Sequence, residues 1–110
     1  MYSTLIVGRM DPATTGEVAG HFQAFDATEM PHLMGTRRRE LFVYNDLYFH
    51  LQQFDDDHNA EEAIRKAMPH PLFVDISEKL TKLIDPYDPT TWTKPMDAIA
   101  TSFYRWRPSS

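Results

Sequence analysis

The side chains with the most chemical reach sit in one short stretch, Arg37-Arg38-Arg39-Glu40-Leu41-Phe42-Val43-Tyr44-Asn45-Asp46-Leu47-Tyr48-Phe49-His50-Leu51. An imidazole ordinarily titrates near neutrality, so His50 suits proton transfer in either direction. A guanidinium is permanently charged and presents several donors in a rigid plane, so an arginine suits stabilisation of a developing oxygen anion. To act together the two must share a surface. The stretch reads as a β-hairpin: two runs rich in aromatic and branched residues flank Asn45-Asp46, a pair that tolerates left-handed turn conformations. Alternation puts Tyr48, His50 and Gln52 on one face of the second strand and Leu47, Phe49 and Leu51 on the other. In the first strand Arg37, Arg39 and Leu41 share a face opposite that of Arg38, Glu40 and Phe42. The bland alternatives are a solvated basic entry to a strand for the arginines and a core histidine bonded to backbone for His50.

The rest of the chain supplies the elements that must position this hairpin. Tyr2 to Met10 reads as a strand, with Ser3, Leu5, Val7 and Arg9 on one face and Thr4, Ile6, Gly8 and Met10 on the other. Asp11-Pro12 ends it, since proline brings no amide to a ladder. A helix follows: Thr14 and Glu17 have capping-box spacing, and Val18, Phe22 and Phe25 recur at helical intervals. It fades near Glu29. Asp26 falls close to its C-terminal end, where the helix dipole disfavours a carboxylate unless it has a cation partner or a task. Pro31 to Thr36 reads as a loop closed by Gly35, and the hairpin ends at Phe54.

Asp55-Asp56-Asp57-His58-Asn59 invites a metal reading, but acidic residues before a helix also complement its dipole, and the glycine spacing of a calcium loop is absent. The expectation is a helix cap and no metal. Ala60 to Met68 is a helical piece broken by Pro69-His70-Pro71. A second piece runs to about Ile84, with a stripe of Leu72, Phe73, Ile76, Leu80 and Leu83. Asp85 to Pro89 reads as an irregular, proline-rich loop, and the last strand as Ala98 to Trp106. The order β-α-β-β-α-β predicts an α+β, ferredoxin-like fold with a four-stranded antiparallel sheet. Helices cover one face of such a sheet. The strands carry apolar residues on both, so the bare face predicts a homodimer.

Composition sets the outer bounds. A chain of 110 residues suits one domain, spanning 1–110, and its 42% hydrophobic and 25% charged content is that of an ordinary globular protein. A formal net charge of −5 argues against a nucleic-acid partner. With no cysteine, disulfides and thiolate chemistry are excluded, which suits a cytoplasmic protein. The N-terminal apolar run is too short for a signal peptide, and no run approaches a membrane span.

Several of these segments together resemble the tetracenomycin F2 cyclase family of aromatic polyketide cyclases. They are Met10-Asp11-Pro12, Asp26-Ala27-Thr28-Glu29-Met30-Pro31, Gly35 to Arg39, Leu41-Phe42, Asp46 to Leu51, His70-Pro71-Leu72-Phe73, Pro86-Tyr87 and Phe103-Tyr104-Arg105-Trp106. The likeness covers nearly the whole chain in order. It implies a dimeric α+β barrel in a type II polyketide pathway of antibiotic or pigment biosynthesis. It also implies closure of a late ring of an aromatic polyketide intermediate by intramolecular aldol condensation and dehydration, with no metal or organic cofactor. The implied catalytic residues are His50 as acid and base, Arg39 on oxygen, and Asp26 orienting His50 or sharing the base role. The position before the aspartate is histidine in the best-known member and Phe25 here, which predicts a drier cavity; any proton handling by that histidine is then either absent here or assigned to His50.

The pocket of such an enzyme is apolar and aromatic, which gives Phe22, Phe25, Met30, Tyr48, Tyr104 and Trp106 as substrate-binding candidates, with Met34 and Trp92 beside them. Two other classes fit the residues. One is a cofactorless monooxygenase acting on an anthrone-like ring, which oxygen consumption would reveal. The other is a non-catalytic binding protein for a polyketide intermediate, which would bind tightly without enhancing any rate.

Overall fold

The structure, a computed structural model, describes residues 2–54, 60–91 and 95–108. Four strands form one antiparallel sheet: β1 (Tyr2–Met10), β2 (Thr36–Tyr44), β3 (Leu47–Phe54) and β4 (Ile84–Pro86), in the order β2-β3-β1-β4. The helices are α1 (Thr15–Asp26), α2 (Met30–Met34), α3 (Ala60–Ala67) and α4 (Pro71–Thr81). This is the α+β, ferredoxin-like arrangement that the sequence pattern implies.

The hairpin forms where expected. Asn45 takes the left-handed conformation at φ 54°, and Tyr44 pairs with Leu47 across the two-residue turn. From there the ladder runs without a gap to Arg39 opposite Gln52. In β3 burial alternates strictly: Tyr48, His50, Gln52 and Phe54 are buried, and the residues between them are half-buried. The buried set faces the helices. There Val18, Phe22 and Phe25 of α1, Met30 and Met34 of α2, Ala67 of α3 and Ile76 of α4 close the core with Met10 and Tyr48.

Several local expectations are corrected. Thr14 makes no side-chain cap to α1. Asp11 instead accepts from the Ala13 amide at 2.9 Å and starts a 3-10 turn over Pro12–Thr14. The expected loop after α1 contains the short helix α2, because Pro31 is tolerated in a first helical turn and Gly35 caps the end at φ 75°. Arg37 does not share the alternation of Arg39: Thr36 pairs with Phe54 and Arg38 with Gln53, so Arg37 is the extra residue of a β-bulge. Leu72, placed on the apolar stripe of α4, is exposed.

The largest correction concerns the fourth strand. The edge beside β1 is taken by Ile84–Pro86, and not by Ala98 to Trp106; α4 stops at Thr81, so Ile84, expected to end that helix, and Asp85-Pro86, expected to be irregular, form the strand instead. Gly8 allows the close approach, since a Cβ there would meet the Asp85 carbonyl oxygen at 3.0 Å. Within the expected strand, Ile99 and Ala100 bond to the sheet, through a single Ile6–Ile99 bridge and an Ala100 amide bond to the Leu5 carbonyl at 2.7 Å. Residues 101–108 then run free of regular structure and exposed. The Asp55-to-His58 cap and Trp92 lie outside the described residues.

Candidate active site

One cavity of about 250 Å³ opens between the sheet and α4. The inward face of β3 gives it Tyr48, His50 and Gln52, β2 gives Arg39, and α1 gives Phe22 and Phe25. The opposite wall is apolar, with Phe73, Ile76 and Leu80 of α4, except for Ser77 and Thr81.

Arg39 is the hub. Its inward direction follows from the unbroken hairpin ladder, which places it diagonally across from His50, whose direct partner is Leu41. Its Nε donates to both Asp26 oxygens, at 3.1 and 2.9 Å. Its Nη1 lies 2.7 Å from His50 Nε2. A guanidinium has donors only, so Nε2 carries the lone pair and the imidazole proton sits on Nδ1. The guanidinium carbon lies 5.0 Å from the Phe22 ring centre and 5.7 Å from that of Phe25, distances at which an aromatic face attracts a cation. The Arg39 side chain is only 8% exposed, and its Nη2 is buried with no hydrogen-bond partner. A buried unpaired donor costs on the order of 1–3 kcal/mol, more when charged.

Electrostatics sets the protonation state of the histidine. Burial, and then the positive charge of Arg39, lower the His50 pKa from 6.5 to about 3. At neutral pH the imidazole is therefore uncharged, and its lone pair is held by Arg39. The expectation of a group poised near neutrality does not survive its burial. Tyr48 is moved the other way: burial raises its pKa well beyond the ordinary phenol range, Arg39 opposing, so the hydroxyl keeps its proton. Phe22 meets His50 edge-on at a ring distance of 5.0 Å.

The structure thus brings Asp26, Arg39, His50, Phe22, Phe25 and Tyr48 together. Asp26 touches Arg39 and not His50, so the carboxylate can orient the guanidinium but does not orient the imidazole. Three substrate-binding candidates are not among the residues lining this cavity. Met30 is fully buried in the core and does not line the cavity. Tyr104 and Trp106 lie exposed on the C-terminal segment and do not line it. Gln52, Ser77 and Thr81 line the cavity and were given no role from sequence. The alternation that placed His50 also carried Gln52, and Phe73, Ser77 and Thr81 recur at steps of four along α4. Among the described residues no group of three His, Asp or Glu side chains could hold a metal ion, and no helix is long and apolar enough to cross a membrane.

Fold and site define a class: a ferredoxin-like α+β protein whose sheet and helices enclose one apolar cavity, with an arginine–histidine pair on its sheet wall. The family described as polyketide synthesis cyclase matches residues 2–107, and the chain belongs to that family. It is 42% identical over 105 residues to tetracenomycin F2 cyclase of Streptomyces glaucescens, covering 96% of this chain and 94% of that one. It is 41% identical over 106 residues to the polyketide synthase CurG of Streptomyces cyaneus, covering 96% and 97%. An uncharacterised protein of Streptomyces coelicolor is 43% identical over 107 residues, covering 96% and 95%. The solved structure of the Streptomyces glaucescens tetracenomycin F2 cyclase, a type II polyketide cyclase, superposes with a TM-score of 0.90 at 41% identity, covering 98% of this chain and 99% of that one.

Proposed function

We propose that this protein closes a late ring of an aromatic polyketide by intramolecular aldol condensation and dehydration, as a single-domain, cofactor-independent cytoplasmic enzyme of a type II pathway. The observation that carries the reading is the charged Arg39, buried with an unsatisfied Nη2 on the wall of an apolar cavity and bonded to the lone pair of His50. A poly-β-ketone has acidic C–H bonds between carbonyls and oxygens that seek donors. A ligand oxygen takes the Arg39 donors and displaces His50, whose freed Nε2 then accepts the C–H proton. The enolate carbon attacks the second carbonyl, a C–C bond forms, and the alkoxide takes the proton back from His50. A second proton removal at the same carbon, with protonation of the hydroxyl, releases water. Arg39 stabilises the oxygen anion at each stage, and Asp26 holds the guanidinium in place.

A homodimer belongs to the same reading. The outer face of the sheet carries Leu5, Val7, Phe42, Leu47, Phe49 and Leu51, all half-buried or exposed in one copy. Phe103, at 97% exposure, and Trp106 are further exposed apolar side chains on the C-terminal segment. A second copy of the chain covers the outer sheet face.

Incubation with a set of partly cyclised aromatic polyketides, with products resolved by mass and NMR, tests the reaction. A new ring with loss of one water, faster than in buffer, is expected. Oxygen uptake with a product gaining oxygen would favour a monooxygenase. A second reading, a non-catalytic binder of a polyketide intermediate, is favoured by the engaged lone pair of His50. Tight binding with product formation no faster than in buffer would decide for it.

A further inference from the structure

Gln52 is 4% exposed and lines the cavity on the same sheet wall as Arg39 and His50, a polar residue in a lining that is mostly aromatic and aliphatic. A buried amide without partners is costly, so its presence calls for an acceptor. One end is satisfied within the protein: Thr36 Oγ1 donates to Gln52 Oε1 over 3.4 Å. That leaves the amide N–H groups as donors. Gln52 is also the direct cross-strand partner of Arg39, on the inward face of the hairpin. Side chains so placed start from Cβ atoms about 4.5–5.5 Å apart, close enough for both to reach one ligand atom.

We infer that Gln52 is a further substrate-contacting residue: its amide N–H and the Arg39 guanidinium together receive one oxygen anion of the ligand, so that the cavity selects an enolate or phenolate over its neutral parent. The inference rests on the reading above that the ligand is an oxygen-rich aromatic polyketide. Both partners offer donors, and donors bond an anionic oxygen more strongly than a neutral one. No opposing charge is aimed at the same place. On β3 the titratable groups are Tyr48 and His50, both uncharged at neutral pH, and α4 contributes only the hydroxyls of Ser77 and Thr81. Asp26, from α1, engages Arg39 through Nε, with a side chain about one-third exposed to water, which weakens its field. The amide adds direction to the charge, because a neutral donor beside a cation fixes which ligand oxygen lies at the guanidinium. Gln52 is thus placed to set which carbonyl becomes the enolate.

The test uses alizarin, a dihydroxyanthraquinone whose ionisation changes its colour, titrated against the purified protein. Wild type is expected to bind the anion more tightly than the neutral form, so that bound alizarin ionises at lower pH than free alizarin. Gln52→Leu is expected to weaken anion binding about tenfold while leaving neutral binding unchanged, the usual worth of one hydrogen bond to a charged group. Gln52→Glu, which sets a carboxylate beside Arg39, should abolish the preference for the anion. Equal losses for both forms in Gln52→Leu, anion binding untouched by either substitution, or a wild type that does not prefer the anion would each overturn the inference. Thermal melting of each variant separates these results from misfolding. Turnover is not read, so a protein that binds the anion through Gln52 yet closes no ring would overturn the cyclase reading and leave this one standing.

Discussion

Arg39 Nη1 bonds to His50 Nε2 over 2.7 Å, and this one contact ties the charge of the site to the protonation of its buried imidazole. In the unfolded chain His50 titrates near 6.5, in the folded one near 3. Between those values the unfolded state binds the extra proton, so stability rises with pH across the window and is lost as pH falls from about 6.5 towards 3. On moving from pH 8 to pH 5 the wild type should lose about 2 kcal/mol more than His50→Gln does. Denaturant unfolding of both proteins at both pH values measures this. Equal losses would mean that His50 titrates as an exposed imidazole.

His50→Ala should lower kcat by about 10²–10⁴-fold, the range for a general acid or base. It also removes the acceptor from Arg39 Nη1, so ligand binding should tighten or stay level while turnover falls. Single-turnover and binding measurements together read the split. Near-normal turnover would make His50 only an anchor for the arginine.

Arg39→Lys should be nearly as damaging, costing about 10²–10³-fold in kcat, as for loss of an oxyanion donor. One ammonium cannot bond Asp26, His50 and a ligand oxygen with the planar geometry of a guanidinium. Recovery of activity in the lysine variant would show that charge alone suffices.

In solution the chain should be a homodimer at micromolar concentration. Replacing Phe49 with Asp on the outer sheet face should give monomers, as read by sedimentation or light scattering. A wild-type monomer would leave the apolar outer face without its proposed partner.

The hairpin was legible because its signal is local. Asn45-Asp46 sets the turn, the turn sets the pairing, and alternation then determines that Arg39 and His50 look inward together. The fourth strand was not. Ala98 to Trp106 alternates well, but an edge position is won by competition, and Ile84–Pro86 wins it here because Gly8 lets that backbone approach. The position of Tyr104 and Trp106 depended on that strand and moved with it. The state of His50 was equally hidden: residue type gives an ordinary pKa, while the shift comes from burial under α1 and from an arginine eleven residues away in sequence. Asp26 shows the middle case. Its position at a helix end signalled that it needed a cation, but not that the cation would be Arg39 and not His50.

The bulge at Arg37 works as a slip joint. Every pair from Tyr44 and Leu47 down to Arg39 and Gln52 is counted from the turn, so the phase of the reactive face is fixed from that end alone. The bulge lies on the other side of Arg39 and absorbs whatever α2 and Gly35 deliver. A residue gained or lost between Gly35 and Arg38 would change the size of the bulge and the shape of the cavity rim. A residue gained or lost between Arg39 and Asn45 would turn the arginine to the outer face. Length variation between Gly35 and Arg38 is thus free to remodel the bulge without disturbing the phase of the reactive face.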